Sequence, residues 1–353
     1  VSAGVMGAGM SSTTLIANRY ALGRNIGHGG MGEVFHAHDR LTGEDVALKR
    51  VIAPLLNLKF SALPDHMDLR MALLKEFQVM ASLRHPHIVS VLDYGFEDRQ
   101  PFFTMELVTH PQTILEYGTR ASETEIARLI GEVLQALQYI HQHGILHRDL
   151  KPENIMIDRE VVKLVDFGLA VTFDQASGIF GTINYLAPEI LFGTYDSSDP
   201  SAGIRVDLYA LGVITYELLT GRHPYQVTAI DELIREMQKH SPDYSRISPG
   251  FLPVLRGLLA YPPHERFSSA GEALEALQRA SGRGSDHIEP TSIRESFLQA
   301  AKFVGRQQEL ETLRAAFDAA DKRSGSGWLI GGESGVGKSR LVDELRIYCL
   351  VRG

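Results

Sequence analysis

The sequence predicts an α+β chain, with a small antiparallel-sheet lobe, then a larger helical lobe, and a short α/β segment at its end. Three observations carry this. Between Tyr20 and Arg50, short runs rich in Val, Ile and Phe are broken by glycine pairs and by Leu41-Thr42-Gly43-Glu44, the pattern of a strand, turn, strand meander. Beyond Thr109 apolar residues recur at helical spacing, most clearly over Thr124 to His143 and Val206 to Thr220. Near the C-terminus a short apolar run, Trp328 to Ile330, leads into a glycine-rich loop and a new helical pattern.

The remaining elements follow in order. Over Met67 to Leu83 the apolar positions Leu69, Leu73, Leu74, Phe77, Met80 and Ala81 approach a 3.6-residue period, so a helix is expected there, ending before Pro86. Strands are expected around Ile88 to Tyr94 and Phe102 to Val108, with Glu106 to Thr109 at the junction of the lobes. Periodicity is lost in the Gly-Ser-Asp stretch after Ser281, which reads as a linker. A helix is expected at Gln307 to Lys322. These signals divide the chain into a flexible leader at 1–18, a first domain at 19–280, a linker at 281–301 and a truncated second domain at 302–353.

Composition narrows the function classes. Of 353 residues, 44% are hydrophobic and 22% charged, as in ordinary globular proteins, and the length suits two domains. A formal charge of −8 offers no basic excess for a phosphate backbone, so no nucleic-acid partner is expected. The single cysteine, Cys349, makes neither an internal disulfide nor a metal cluster, which suits a reducing compartment and a cytoplasmic location. No apolar run reaches the roughly 18 residues that span a bilayer, and the opening residues lack the basic region of a signal peptide.

The chemistry lies in ordered motifs. Gly27-His28-Gly29-Gly30-Met31-Gly32-Glu33-Val34 matches G-x-G-x-x-G-x-V, in which missing Cβ atoms let backbone N–H groups approach phosphates. Val46-Ala47-Leu48-Lys49 then places a cation on a strand, suited to the α and β phosphates, and Glu76 on the following helix is its expected partner, with Glu33 and Asp68 as competitors. His147-Arg148-Asp149-Leu150-Lys151-Pro152-Glu153-Asn154 matches H-R-D-L-x-x-x-N in full. There Asp149 orients an attacking hydroxyl, Lys151 steadies the moving phosphate and Asn154 binds a metal ion. Asp166-Phe167-Gly168 supplies a second metal-binding carboxylate in Asp166, and Ala187-Pro188-Glu189 closes the segment.

From about Tyr20 to Arg279 these motifs resemble the eukaryotic-type protein kinase fold, a bilobal α+β architecture. The stretch Arg19-Tyr20 through Asp39 is similar to the bacterial Hanks-type serine/threonine kinases. The resemblance implies transfer of the γ-phosphate of ATP to Ser or Thr hydroxyls of a protein substrate, with Mg²⁺ as the metal and Mn²⁺ as an alternative. It also implies that Met105 is the gatekeeper and that Glu106 and Val108 give hinge backbone contacts to adenine. Ile26, Val34, Ala47 and Met156 would form the apolar walls of the purine pocket, with Gly27, Gly29 and Gly32 over the phosphates. Asp207 would anchor the catalytic loop, and Arg266 would pair with Glu189. Lys151 and the stretch Gly181 to Tyr185 point to serine/threonine rather than tyrosine substrates. Arg148 beside Asp149 points to an activation loop ordered by a phosphate, with Ser177 or Thr172 as the phosphosite.

Two departures from the family pattern stand out, extra residues between Lys49 and Glu76 and a longer connection at Gly193 to Gly203. Surface insertions and a contact for an activator or a second copy of the chain both remain open readings.

Gly332-Glu333-Ser334-Gly335-Val336-Gly337-Lys338-Ser339 matches the P-loop pattern G-x-x-x-x-G-K-[ST]. Backbone N–H groups from Gly332 to Gly337 would cradle phosphates, Lys338 would reach the β and γ positions and Ser339 would ligate Mg²⁺. With Phe303 to Leu310 before it, this looks like the start of an AAA-like ATPase domain. A regulatory contact with the rest of that ATPase region is therefore expected. A non-catalytic scaffold is the alternative from another class, and the joint presence of Lys49, Asp149, Asn154 and Asp166 argues against it. A nucleotide switch that only autophosphorylates stays open.

Overall fold

The structure is a computed structural model. It describes residues 14–29, 32–51, 80–81, 83–98, 100–166, 171–172, 183–196, 199, 201–225, 230–239, 242–281, 306–321, 325–332, 338, 341–342, 344–345 and 348–349. The chain divides into two compact units, one of Val1–Phe77, Val91–Leu107 and Arg346–Gly353 and the other of Gln78–Ser90 and Val108–Leu345.

The first unit is built on a sheet of strands β1 (Leu15–Ile16), β2 (Tyr20–Gly29), β3 (Gly32–Asp39), β4 (Asp45–Val51), β5 (Val91–Glu97) and β6 (Gln100–Glu106), in the order β1-β2-β3-β4-β6-β5. Every pairing is antiparallel, as the meander pattern predicts. Side chains alternate across a strand, so the register sorts them by face. One face packs Ile16, Tyr20, Ala37, Val46, Leu48 and Phe102 into a buried cluster, with the Tyr20 and Phe102 rings edge to face at 5.9 Å. On the other face Val34 stands opposite Lys49, Lys49 opposite Phe103, and Ala47 opposite Met105.

Arg19 fastens this sheet. Its Nε and Nη2 donate to the two carboxylate oxygens of Asp39, both at 2.7 Å, while Nη1 donates to Asp93 Oδ2 at 2.5 Å. The paired guanidinium holds the Asp39 carboxyl far below the usual carboxylate range.

The second unit is mostly helical. Its strands are β7 (Gln112–Thr113), β8 (Ile145–Leu146), β9 (Ile155–Asp158), β10 (Val161–Leu164) and β11 (Val171–Thr172), in sheets ordered β10-β9-β7 and β11-β8. Its helices are α1 (Ile114–Gly118), α2 (Glu123–Gln142), α3 (Pro188–Leu191), α4 (Ala202–Thr220), α5 (Ile230–Lys239), α6 (Leu252–Leu259), α7 (Ala270–Ala280) and α8 (Gln307–Asp321).

Helix α2 starts where Ser122 caps the Glu125 N–H and buries one apolar stripe that includes Leu129, Val133 and Leu137. Helix α4 is buried on nearly every side from Ala202 to Tyr216, which makes it the central helix of this core. It ends at Gly221, whose φ of 70° is the left-handed conformation that suits glycine after a helix. Strands β9 and β10 form a tight hairpin through Arg159 and Glu160, both at positive φ, which matches the twist of the flanking strands.

The expected helices at 124–143, 206–220 and 307–322 are observed within a few residues of those limits. The expected helix at 67–83 lies outside the described residues except at its end, where Met80 and Ala81 are helical. The expected strand Trp328 to Ile330 is not formed, and Leu329 is 98% exposed. A strand of a parallel sheet is stable only beside its neighbours, and residues 325–332 pair with none of the described strands. Leu310, Leu313 and Leu341 nevertheless pack together, with Ile330 and Leu345 against them.

Gly32 has φ +147°, and a Cβ there would lie 1.9 Å from the backbone oxygen of Arg50, whereas one on Gly27 would meet only Val34 at 3.6 Å. Gly32→Ala should therefore destabilise the protein by about 1–3 kcal/mol in urea denaturation, and Gly27→Ala by less than about 1 kcal/mol.

The His85 ring packs at a tilt against Tyr139, with centroids 5.0 Å apart, and against His87 at 5.4 Å. Burial pushes the His85 pKa down to about 3 and also lowers that of His87. The His85 ring is then neutral in the folded protein down to about pH 3 and takes up a proton on unfolding below about pH 6.5, and the lowered His87 pKa acts in the same direction. Stability should be constant in this respect above that pH and should fall as the pH drops from 6.5 toward 3. Thermal melts across that range check it, and His85→Phe should flatten the dependence.

Candidate active site

The segment from His147 to Asn154 leaves β8 and is held from beneath by helix α4. Asp207 is 1% exposed, and its Oδ2 accepts from the His147 N–H at 2.9 Å while Oδ1 accepts from the Arg148 N–H at 2.8 Å. His141 Nε2, from α2, meets Oδ2 at 2.9 Å. Burial alone would raise the Asp207 pKa, yet the hydrogen bond and charge of His141, the charge of His147 and the Arg148 N–H together set it below the ordinary carboxylate value. These bonds also hold Arg148 in a left-handed conformation, φ 62°. Such backbone strain persists only where its surroundings fix it.

The next residue is Asp149. Lys151 Nζ lies 3.0 Å from its Oδ2. Asn154 Nδ2 donates to the backbone oxygen of Asp149 at 2.7 Å and to its Oδ2 at 3.3 Å. Pro152–Asn154 form one turn of 3₁₀ helix, which carries the chain from Lys151 into β9. Val165 N–H then donates to the Asn154 oxygen at 3.0 Å, so the strand leading to Asp166 returns beside the catalytic segment. Asp166 is also left-handed, φ 54°. His147 is buried within electrostatic reach of Asp207, Asp149 and Asp166, and burial lowers its pKa.

Asp149, Lys151, Asn154 and Asp166 are thus gathered in the second unit. Met156 lies there too, on β9 opposite Thr113, as does Val108. In the first unit, register brings together Gly27, Val34, Ala47, Lys49 and Met105, with Glu106 opposite Val46 at the end of β6. Lys49 is 4% exposed, far more buried than a solvated strand lysine. Ile26 is 42% exposed on β2, and Gly29 pairs with Gly32 of β3. Glu76, Phe167, Gly168, Ser177, Gly337 and Ser339 lie outside the described residues, while Lys338 is helical and donates to the Gly332 oxygen at 2.9 Å.

Among the described residues there is no cluster of three or more His, Cys, Asp or Glu side chains fit to hold a metal. Asn154 and Asp166 instead offer oxygens only. Such a donor set fits a hard cation that completes its shell with phosphate and water. The commitment of Asn154 Nδ2 to Asp149 orients the amide for that use.

Farther out, Arg266 and Glu189 form the expected pair. Nη1 and Nη2 donate to Oε1 and Oε2 at 2.6 and 2.8 Å, both side chains being buried. Sequence reading missed the role of His141, which carries no motif and whose partner is 66 residues away. It also missed the bond from Tyr185 Oη to Glu217 Oε2 at 3.0 Å, in which burial raises the pKa of the Glu217 carboxyl.

The protein kinase domain family matches residues 20–279, and the AAA ATPase domain family matches residues 302–350. The chain belongs to the protein kinase family. It is 35% identical over 292 residues to a probable serine/threonine-protein kinase of Corynebacterium efficiens, covering 76% of this chain and 42% of that protein. It is 33% identical to the serine/threonine-protein kinase PknD of Mycobacterium tuberculosis, over 78% of this chain and 41% of that one. The chain thus spans about two fifths of the length of these curated relatives. A crystal structure of Rad53 1-466 in complex with AMP-PNP superposes with a TM-score of 0.60 at 26% identity, covering 73% of this chain and 65% of that one.

Arg266→Ala would leave the Glu189 carboxylate buried without its cation. A loss of about 3–5 kcal/mol in denaturant-derived stability is expected. Glu189→Gln, which keeps a hydrogen-bond acceptor for the arginine, should cost less.

Proposed function

We propose that this chain is a serine/threonine protein kinase that transfers the γ-phosphoryl group of ATP to Ser or Thr hydroxyls of protein substrates. It would act within a larger, cytoplasmic signalling regulator that carries an ATPase module. The observation that carries this reading is the catalytic segment seated on Asp207, with Asp149 contacted by both Lys151 and Asn154.

In this reading Asp149 accepts a hydrogen bond from the substrate hydroxyl and takes its proton as the new oxygen–phosphorus bond forms and the bond to the leaving ADP oxygen breaks. Lys151, whose Nζ lies 3.0 Å from Asp149 Oδ2, offers its ammonium to the charge on the moving phosphoryl group. Lys49 gives its cation to the α and β phosphates, with Glu76 as its partner. Asn154 and Asp166 would hold Mg²⁺, or Mn²⁺ in its place, which when bound neutralises phosphate charge. Gly27, Gly29 and Gly32 cover the phosphates with backbone N–H groups. Ile26, Val34, Ala47, Met105 and Met156 line the purine site, and the backbone of Glu106 and Val108 bonds the adenine edge.

Gly332, Gly337, Lys338 and Ser339 belong to a second phosphate site, the start of the ATPase module, whose remaining part would make a regulatory contact with the kinase domain. The extra residues between Lys49 and Glu76 and at Gly193 to Gly203 would offer a contact for an activator or for a dimer.

A transfer assay with γ-labelled ATP and a basic protein substrate tests this reading. Asp149→Asn should reduce turnover by at least about a thousandfold with little change in ATP affinity, as loss of a group acting only in the transition state does. Lys338→Ala should leave turnover within about twofold of the unchanged protein. Transfer that survives Asp149→Asn contradicts the assignment.

A further inference from the structure

Tyr185 and Leu186 line one small cleft together with Arg148, Asp149 and Leu150. The single turn of 3₁₀ helix at Ile183–Tyr185 leads into that cleft, closed by the Leu186 N–H donating to the Ile183 oxygen at 3.2 Å. Ile183 is 46% exposed on it. A protein substrate that brings a hydroxyl to Asp149 lays its flanking residues beside this turn. So short a 3₁₀ turn has little stability of its own, and its position comes from what holds it.

Two consecutive residues of the turn are held from the end of helix α4. Tyr185 Oη donates to Glu217 Oε2, and His223 Nε2 lies 2.9 Å from the backbone oxygen of Asn184. A carbonyl only accepts, so Nε2 carries the hydrogen of that bond. His223 Nδ1 lies 3.1 Å from the Tyr225 nitrogen and 2.6 Å from the Tyr225 oxygen. A neutral ring accepts from the first and a protonated ring donates to the second, and the bond to Asn184 stands in both forms. The ring also meets that of Tyr185 edge to face, centroids 6.3 Å apart. What presents His223 is itself fixed: Gly221 ends α4 in the left-handed conformation, and Thr220 Oγ1 accepts from the Arg222 N–H at 3.2 Å and donates to the Tyr216 oxygen at 2.8 Å. We propose that His223 is a positioning residue for the protein substrate: through the Asn184 oxygen it keeps the Ile183–Tyr185 turn in the one arrangement that receives the chain flanking the acceptor hydroxyl. This rests on the kinase reading above and extends it to substrate docking. A turn that holds this arrangement only part of the time binds its partner more weakly in proportion.

The test uses the full chain with γ-labelled ATP and myelin basic protein as the acceptor, and compares the unchanged protein with His223→Phe, His223→Gln, His223→Asn and Asp149→Asn. His223→Phe keeps a ring against Tyr185 and removes both nitrogens. The KM for myelin basic protein should rise about fivefold, the equivalent of one neutral hydrogen bond, with the KM for ATP within about twofold. His223→Gln carries an amide N–H as far along the side chain as Nε2, and should bring the KM for myelin basic protein back to within about twofold of the unchanged value. His223→Asn reaches only as far as Nδ1 and should not. The comparison of these two amides decides the matter even where His223→Phe lowers the melting temperature. An unchanged KM for myelin basic protein in His223→Phe, a KM for ATP that rises in step with it, or glutamine and asparagine variants that behave alike each overturns the role of His223. Absence of transfer by the unchanged protein, or transfer that survives Asp149→Asn, overturns the kinase reading itself.

Discussion

One buried carboxylate organises the catalytic half of this molecule. Asp207 sits on a helix that is apolar almost all round, where an unpaired charge would be costly. Its position is therefore acceptable only with partners, and the partners are two consecutive N–H groups of the catalytic segment and the imidazole of His141. The cost of burying the charge is offset by bonds that also define the backbone leading to Asp149. A rigid helix thus sets the path of a loop that has little regular structure of its own.

The contrast between the two units lies in how each holds its functional groups. In the sheet, position comes from register: once Val34 pairs with Lys49 and Ala47 with Met105, alternation alone puts these side chains on one face and the apolar cluster on the other. In the helical unit, position comes from buried polar contacts between elements distant in sequence. Asp207 to the catalytic segment is one of these, and Glu189 to Arg266 is another. Each joins a segment without repetitive structure to something that packs well. Neither pair needs to be a net source of stability to specify the arrangement, since a buried pair is costly chiefly when one partner is removed.

Much of this was legible in the sequence, and the reasons are local. Helices α2 and α4 were readable because apolar spacing and burial follow the same geometry, and the glycine loop and the segment around Asp149 because they are contiguous. The bulges that shift register around Asn25 were not, since nothing in the residues announces an irregular pairing. His141 was missed for a related reason. A histidine on a buried helix face acquires its partner only through tertiary packing. The strand expected at Trp328 to Ile330 failed because strand propensity is a property of neighbours as much as of residues.

The claim that Asp207 holds the catalytic segment is tested most directly by amide hydrogen exchange. In the unchanged protein the His147 and Arg148 amides should exchange only through large-scale unfolding, as slowly as those within α2. In Asp207→Asn, which has one acceptor oxygen where there were two, at least one of these amides should exchange by local opening, about a hundredfold faster or more, while α2 keeps its protection. Equal protection of both amides in the two proteins would contradict the account.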